Sequence, residues 1–173
     1  GKLLFDIEEL SAAIYMGDGD CPDWAESYEG LIADNEPAPP SKRGGDDMAG
    51  IFYTGGTTGF PKGVMQSHRA FWASGIGAMP EFQMSRNSTY LHVAPMFHVA
   101  DFAATMGTVL CAAHSVILPV FDPGQVLDTF ARERITHVLM VPSMIKMVLA
   151  HPDVEQADVS SLEVLIYGAS PMP

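Results

Sequence analysis

A chain of 173 residues is long enough for one domain that buries roughly 70% of its unfolded surface. With 47% hydrophobic and 17% charged residues and two cysteines, it is neither a disordered segment nor a disulfide-built scaffold. Its formal net charge of −12 excludes general binding to a nucleic-acid backbone, which needs positive surface to displace counterions.

In chain order, Leu3, Phe5, Ile7, Leu10 and Ile14 predict a short strand followed by a helix between Lys2 and Met16. Residues 17–20 read as a solvated turn. Pro22 and Trp24 stand where a calcium loop beginning at Asp18 needs a ligand or glycine. A helix is expected over 24–33, then an extended connector over 35–45 with Pro37, Pro39, Pro40, Gly44 and Gly45. A buried strand over 49–53 runs into a Gly/Thr-rich loop over 54–63, with a strand resuming at 64–66. Helices are predicted over 69–79, 100–111 and 143–150. Another opens at Asp122-Pro123, an N-cap followed by proline at the first helical position, and runs to Arg134. Strands are expected over 90–94, 115–118, 137–141 and 162–167.

Strands alternating with helices of about ten residues predict an α/β fold, a largely parallel sheet flanked by helices. Ligands in such sheets bind outside the carboxyl ends of the strands. Three post-strand loops fall there: Pro95-Met96-Phe97-His98, Val141-Pro142-Ser143 and Gly168-Ala169-Ser170-Pro171. The expected organisation is an acidic segment and connector over 1–45 and an incomplete α/β subdomain over 46–173.

Charge is uneven along this chain. Residues 1–50 carry 12 acids against Lys2, Lys42 and Arg43, whereas over 62–86 Lys62, Arg69 and Arg86 face only Glu81. A short region can supply a positive field within an acidic protein. It adjoins Tyr53-Thr54-Gly55-Gly56-Thr57-Thr58-Gly59-Phe60-Pro61-Lys62-Gly63-Val64. Its glycines let backbone N–H groups approach a ligand closely; three threonine hydroxyls and an ammonium add donors, and no acid is present. Such a loop suits a polyphosphate. It is not a Walker A loop, because Pro61 precedes Lys62 and Gly63 follows it.

Over these twelve positions the chain resembles the adenylate-forming superfamily of acyl- and aryl-CoA synthetases, luciferases and peptide-synthetase adenylation domains. The family's phosphate loop reads Tyr-Thr-Ser-Gly-Thr-Thr-Gly-x-Pro-Lys-Gly-Val, with Gly55 here in place of serine. The resemblance extends to Asp46-Asp47, Ser67-His68-Arg69, Pro95-Met96-Phe97-His98 and Tyr167-Gly168-Ala169-Ser170-Pro171-Met172-Pro173. It implies a fragment of the large N-terminal domain of such an enzyme. The reaction implied is ATP-dependent activation of a fatty or aryl carboxylic acid to an acyl-adenylate, then thioesterification to coenzyme A. ATP with Mg²⁺ and coenzyme A are the implied cofactors and cosubstrates.

By the same resemblance, Thr54, Gly55, Gly56, Thr57, Thr58, Gly59 and Lys62 hold the β- and γ-phosphates, with Lys62 a catalytic residue. Gly168, Ala169 and Ser170 form the adenine-side loop. His98 is the second catalytic candidate, beside the carboxylate pocket, where it gates entry or orients the acid. Peptide-synthetase domains commonly place an aspartate there to pair with an α-amino group, and His98 suits an acid without one. Phe97, Phe102 and Met106, with Ala103, Ala104 and Gly107, are candidate acyl-pocket residues, although helical core packing predicts the same spacing. His92, His114, His137 and His151 read as packing or surface residues.

No metal ligand is assigned within the chain: His92, His98 and Cys111 have spacings that fit no compact zinc pattern. The expected partners are a small-molecule carboxylic acid, ATP and coenzyme A, with no nucleic acid and no transmembrane segment; oligomeric state is open. The absence of a basic-then-apolar leader and two widely spaced cysteines predict a cytoplasmic location. The chain stops after a strand and loop, before the family's Gly-x-Thr-Glu segment and C-terminal lysine, so it is expected to turn over negligibly by itself. Two alternative readings are a carrier-protein-loading adenylation domain and, from a different class, a non-catalytic nucleotide-binding module. A serine hydrolase fails on Met172, where a nucleophile elbow needs glycine.

Overall fold

The computed structural model describes residues 11–54 and 59–168. The chain divides into two compact units, Gly1–Lys42 and Arg43–Pro173.

In the first unit, β1 (Ile14–Tyr15) and β2 (Glu26–Ser27) pair in parallel, and α1 (Tyr28–Asp34) follows at once. Ser27 closes the strand and opens the helix: its backbone is extended, and its Oγ accepts from the Gly30 N–H at 3.3 Å. The helix expected over 24–33 therefore starts later, and the helical end expected near Met16 is a strand. β-Branched Ile14 and aromatic Tyr15 favour pairing with β2 over a helical turn. The strand expected before them lies outside the described residues.

The second unit opens with an antiparallel hairpin of β3 (Met48–Thr54) and β4 (Lys62–Ser67). These strands form a sheet of their own and do not join the parallel one. The predicted loop is correspondingly shorter, because Thr54, Lys62 and Gly63 belong to the ladder. The base of the hairpin is closed by motifs far apart in sequence. The Arg69 guanidinium meets the Asp46 carboxylate at 2.8 Å, the His68 N–H donates to the Asp47 carbonyl at 3.1 Å, and the Arg69 N–H to the Gly45 carbonyl at 2.8 Å. Gly45 takes φ +57° in this turn, a conformation glycine adopts without steric penalty.

Ser67 then caps α2 (His68–Glu81), accepting from the Ala70 N–H at 3.2 Å. The remaining elements are β5 (Thr89–His92), α3 (Val99–Cys111), β6 (His114–Ile117), α4 (Pro123–Arg132), β7 (His137–Met140), α5 (Pro142–Leu149) and β8 (Val164–Tyr167). Their strands form a parallel sheet of order β6-β5-β7-β8. All four residues of β7 and the last three of β5 are buried, as expected for central strands covered on both faces. α4 begins as its sequence predicts: Asp122 Oδ1 accepts from the Gln125 N–H at 2.9 Å and Pro123 takes the first helical position. It buries Val126, Leu127 and Phe130 against Leu91, Val138 and Met140, an apolar face at helical spacing meeting the sheet.

Strand order decides where a ligand crevice opens. The crossover from β5 leads to β6 on one side, and that from β7 leads to β8 on the other. The carboxyl ends of β5 and β7 thus flank a switch point. The loop after β5 carries Pro95 to His98 to this place.

Candidate functional site at the mouth of the hairpin

Pairing across the hairpin sets one face of it. Thr54 is opposite Lys62 and Phe52 opposite Val64. Alternate residues of a strand share a face, so Lys62 lies on the same side as Val64 and Gln66, both of which line a cavity of about 940 Å³. Thr54, Phe97 and His98 also line it.

Three aromatic rings hold this cavity together. Phe52 of β3, Phe71 of α2 and Phe102 of α3 stack in a triangle with centroids 4.6–5.7 Å apart. Edge and tilted contacts of this kind add about 0.5–1.5 kcal/mol each beyond the burial of apolar area. Helices α2 and α3 approach closely at Gly75, where a Cβ would stand 2.7 Å from Leu110 Cδ1 and 3.2 Å from Met106 Cβ.

The expected acyl-pocket residues divide along α3. Phe102, Ala103 and Met106, with Phe97 before the helix, line the cavity. Ala104 instead packs with Met84, Tyr90 and Leu139, and a Cβ on Gly107 would meet the Met84 sulfur at 2.9 Å. Those two positions face the core, because the helix period separates them from the cavity side.

Lys62 is exposed, and its side chain is in no ion pair among the described residues. The Thr54 hydroxyl donates to the Lys62 carbonyl at 3.3 Å. Gly55, Gly56, Thr57 and Thr58 lie outside the described residues, as do Ala169 and Ser170. Gly59 and Gly168 face open space: nothing stands within 4 Å of where their Cβ atoms would be. Between Met48 and Ser67 the chain contains no acid, so the donors of this segment fit an anion and supply no carboxylate for a metal.

His98 is the N-cap of α3, and its Nδ1 accepts from the Ala100 N–H at 3.4 Å. In the neutral ring this leaves the proton on Nε2 as a donor. The side chain is exposed at the cavity wall, so that donor can meet a carboxylate.

Sequence reasoning missed the polar cluster beneath this loop. His92 and Asp101 are 1% and 0% exposed. The His92 Nδ1–H donates to Asp101 Oδ2 at 2.8 Å, and the Tyr90 hydroxyl donates to Asp101 Oδ1 at 3.2 Å. His92 Nε2 accepts from the Ser115 hydroxyl at 3.3 Å. Burial, then the Asp101 charge, then its hydrogen bond push the Tyr90 hydroxyl far above the usual tyrosine range, so it stays a donor. The one sequence signal was an acid in the apolar run from Val99 to Phe121. Of the other histidines, His114 is exposed, His151 is half-buried, and buried His137 is 2.7 Å from the Thr136 hydroxyl through Nδ1. Cys21 and Cys111 are both free, and no described helix is long and apolar enough to cross a membrane.

Known proteins resemble this chain in sequence and in fold. The sequence pattern described as AMP-binding enzyme matches residues 5–173. A feruloyl-CoA synthase from an Amycolatopsis species is 38% identical over 142 residues, 82% of this chain and 29% of that protein. The medium/long-chain-fatty-acid–CoA ligase FadD8 of Mycobacterium tuberculosis is 38% identical over 125 residues, 72% of this chain and 22% of its own length. The chain therefore spans less than a third of these relatives. Among solved structures, the N-terminal domain of FACL13 from M. tuberculosis superposes with a TM-score of 0.76 at 27% identity, covering 86% of this chain and 38% of that one. ATP-bound MatB from Rhodopseudomonas palustris gives 0.74 at 30% identity, covering 87% and 30%.

Proposed function

Because the chain belongs to the AMP-binding enzyme family, we propose that its full-length protein activates a carboxylic acid with ATP and passes the acyl group to coenzyme A. The observation that carries this reading is the meeting of two distant motifs at one cavity: Thr54 of the Gly/Thr segment and His98 of the loop after β5. The relatives named for feruloyl and for medium- and long-chain fatty acids support an aryl or fatty acid as the substrate class.

In the first step a carboxylate oxygen attacks the α-phosphorus of ATP. The bond from that phosphorus to the bridging oxygen breaks, and pyrophosphate departs with the electron pair. Thr54, Gly55, Gly56, Thr57, Thr58, Gly59 and Lys62 hold the β- and γ-phosphates, and donors placed in advance stabilise the charge that builds on the leaving group. Bound with the triphosphate, Mg²⁺ would supply charge neutralisation there, beside the donors of Thr54 and Lys62. Gly168, Ala169 and Ser170 border the adenine, and His98 donates through Nε2 to the acid. In the second step the coenzyme A thiol gives up its proton to solvent and its sulfur attacks the acyl carbon; the bond from that carbon to the phosphate oxygen breaks, and AMP leaves with the electron pair. The free thiols of Cys21 and Cys111 support a reducing, cytoplasmic setting.

The test is acid-dependent ATP–pyrophosphate exchange by the full-length protein across aryl and fatty acids, followed by release of AMP on adding coenzyme A. Exchange without release would assign a carrier-protein thiol as acceptor. ATP binding without exchange for any acid would make the protein a nucleotide-binding module and overturn the proposal. Residues 1–173 alone are expected to exchange no pyrophosphate above background.

A further inference from the structure

The loop that brings His98 to the cavity is clasped at its two roots. His92 is the last residue of β5, Asp101 lies in the first turn of α3, and their side chains meet at 2.8 Å beneath the intervening residues. Tyr90, two residues earlier on the same strand, holds the other carboxylate oxygen at 3.2 Å. Both acceptor atoms of Asp101 are thereby tied to β5, while its backbone begins the helix that His98 caps. Among the described residues no Lys or Arg pairs with this carboxylate.

A buried carboxylate is an expensive way to fill a core. Apolar residues of similar volume are often as stabilising or more so, and Tyr90 of this cluster itself packs with apolar Met84, Ala104 and Leu139. What the polar cluster adds is direction, since hydrogen bonds fix angles that apolar contacts leave free. Ser115, His92 and Asp101 are also strung in the order of a nucleophilic triad. The imidazole that would shuttle the proton is 1% exposed, so no acyl substrate reaches it.

We infer that Asp101 and His92 are positioning residues for His98, and through it for the carboxylic acid: their hydrogen bond sets where the loop after β5 stands at the cavity wall. This role rests on the acid-activation reading above. Because the loop it holds carries His98, which is assigned to the acid, the clasp should affect the acid and not ATP.

Pyrophosphate exchange by the full-length protein, with KM measured separately for acid and for ATP, tests this. Asp101→Ala is expected to raise KM for the acid by up to the effect of losing His98 itself, about tenfold, and to leave KM for ATP within about twofold. Asp101→Asn keeps an acceptor for His92 and should recover most of the loss. In a His98→Ala background, Asp101→Ala should add little, because its effect passes through a side chain already gone. If Asp101→Ala does not fold, His92→Leu removes the same hydrogen bond and carries the same expectations. Unchanged acid KM, an equal rise in both KM values, or full additivity with His98→Ala would overturn the positioning role and leave the proposed reaction standing. A wild-type protein silent with every acid would instead overturn the reaction itself.

Discussion

Thr54 and Lys62 stand opposite each other at the loop end of the hairpin, with the Thr54 hydroxyl 3.3 Å from the Lys62 carbonyl. The pairing puts Lys62 on the strand face of Val64 and Gln66, which line the cavity, although exposed Lys62 is not itself among the lining residues. Lys62→Ala leaves the ladder intact and removes one charged donor. The expected result is a barrier for pyrophosphate exchange higher by about 1.5–3 kcal/mol, or about 10- to 150-fold in rate. An unchanged rate would remove Lys62 from the chemistry.

His98 contributes through its free ring nitrogen. Replacing it with alanine deletes a donor to the acid and leaves the phosphate-side donors in place. KM for the acid should rise about tenfold or more, the value of one hydrogen bond to a charged group, while ATP affinity measured by calorimetry stays unchanged. Equal weakening of both ligands would show that His98 does not face the acid.

Gly75 sets the distance between α2 and α3. Gly75→Val pushes α3 away from α2, because its Cβ would fall 2.7 Å from Leu110 Cδ1 and 3.2 Å from Met106 Cβ. Overpacking of this kind typically destabilises by about 1–3 kcal/mol. A lowered urea midpoint is expected, together with weaker acid binding, since both helices wall the cavity. A variant as stable as wild type would mean that the helices separate freely at this point.

Tyr90 gives stability a dependence on alkaline pH. Its folded-state pKa is raised, chiefly by burial and next by the Asp101 charge, so the native state keeps a proton that the unfolded chain releases above about pH 10. The stabilisation is complete below that pH and declines as pH rises, at about 1.4 kcal/mol per unit for one proton. Tyr90→Phe should remove this component, giving a shallower alkaline decline than wild type. It should also be less stable near neutrality, because Asp101 loses a donor. Parallel alkaline limbs for the two proteins would contradict the assignment.

Much was legible along the chain because the physics involved is local. Asp122 followed by Pro123 announces a helix start wherever it occurs, and Val126, Leu127 and Phe130 repeat at the period that buries one face. The Gly/Thr segment is readable because close backbone approach to an anion requires those residue types in that order. Tertiary structure decided what depends on partners distant in sequence. β3 and β4 pair with each other and not with the parallel sheet; Ala104 and Gly107 turn to the core while Ala103 and Met106 turn to the cavity. His92 and Asp101 share a hydrogen bond that neither residue's neighbours foretell. Periodicity says that a side has to be buried, but only the packed arrangement of strands and helices says against what.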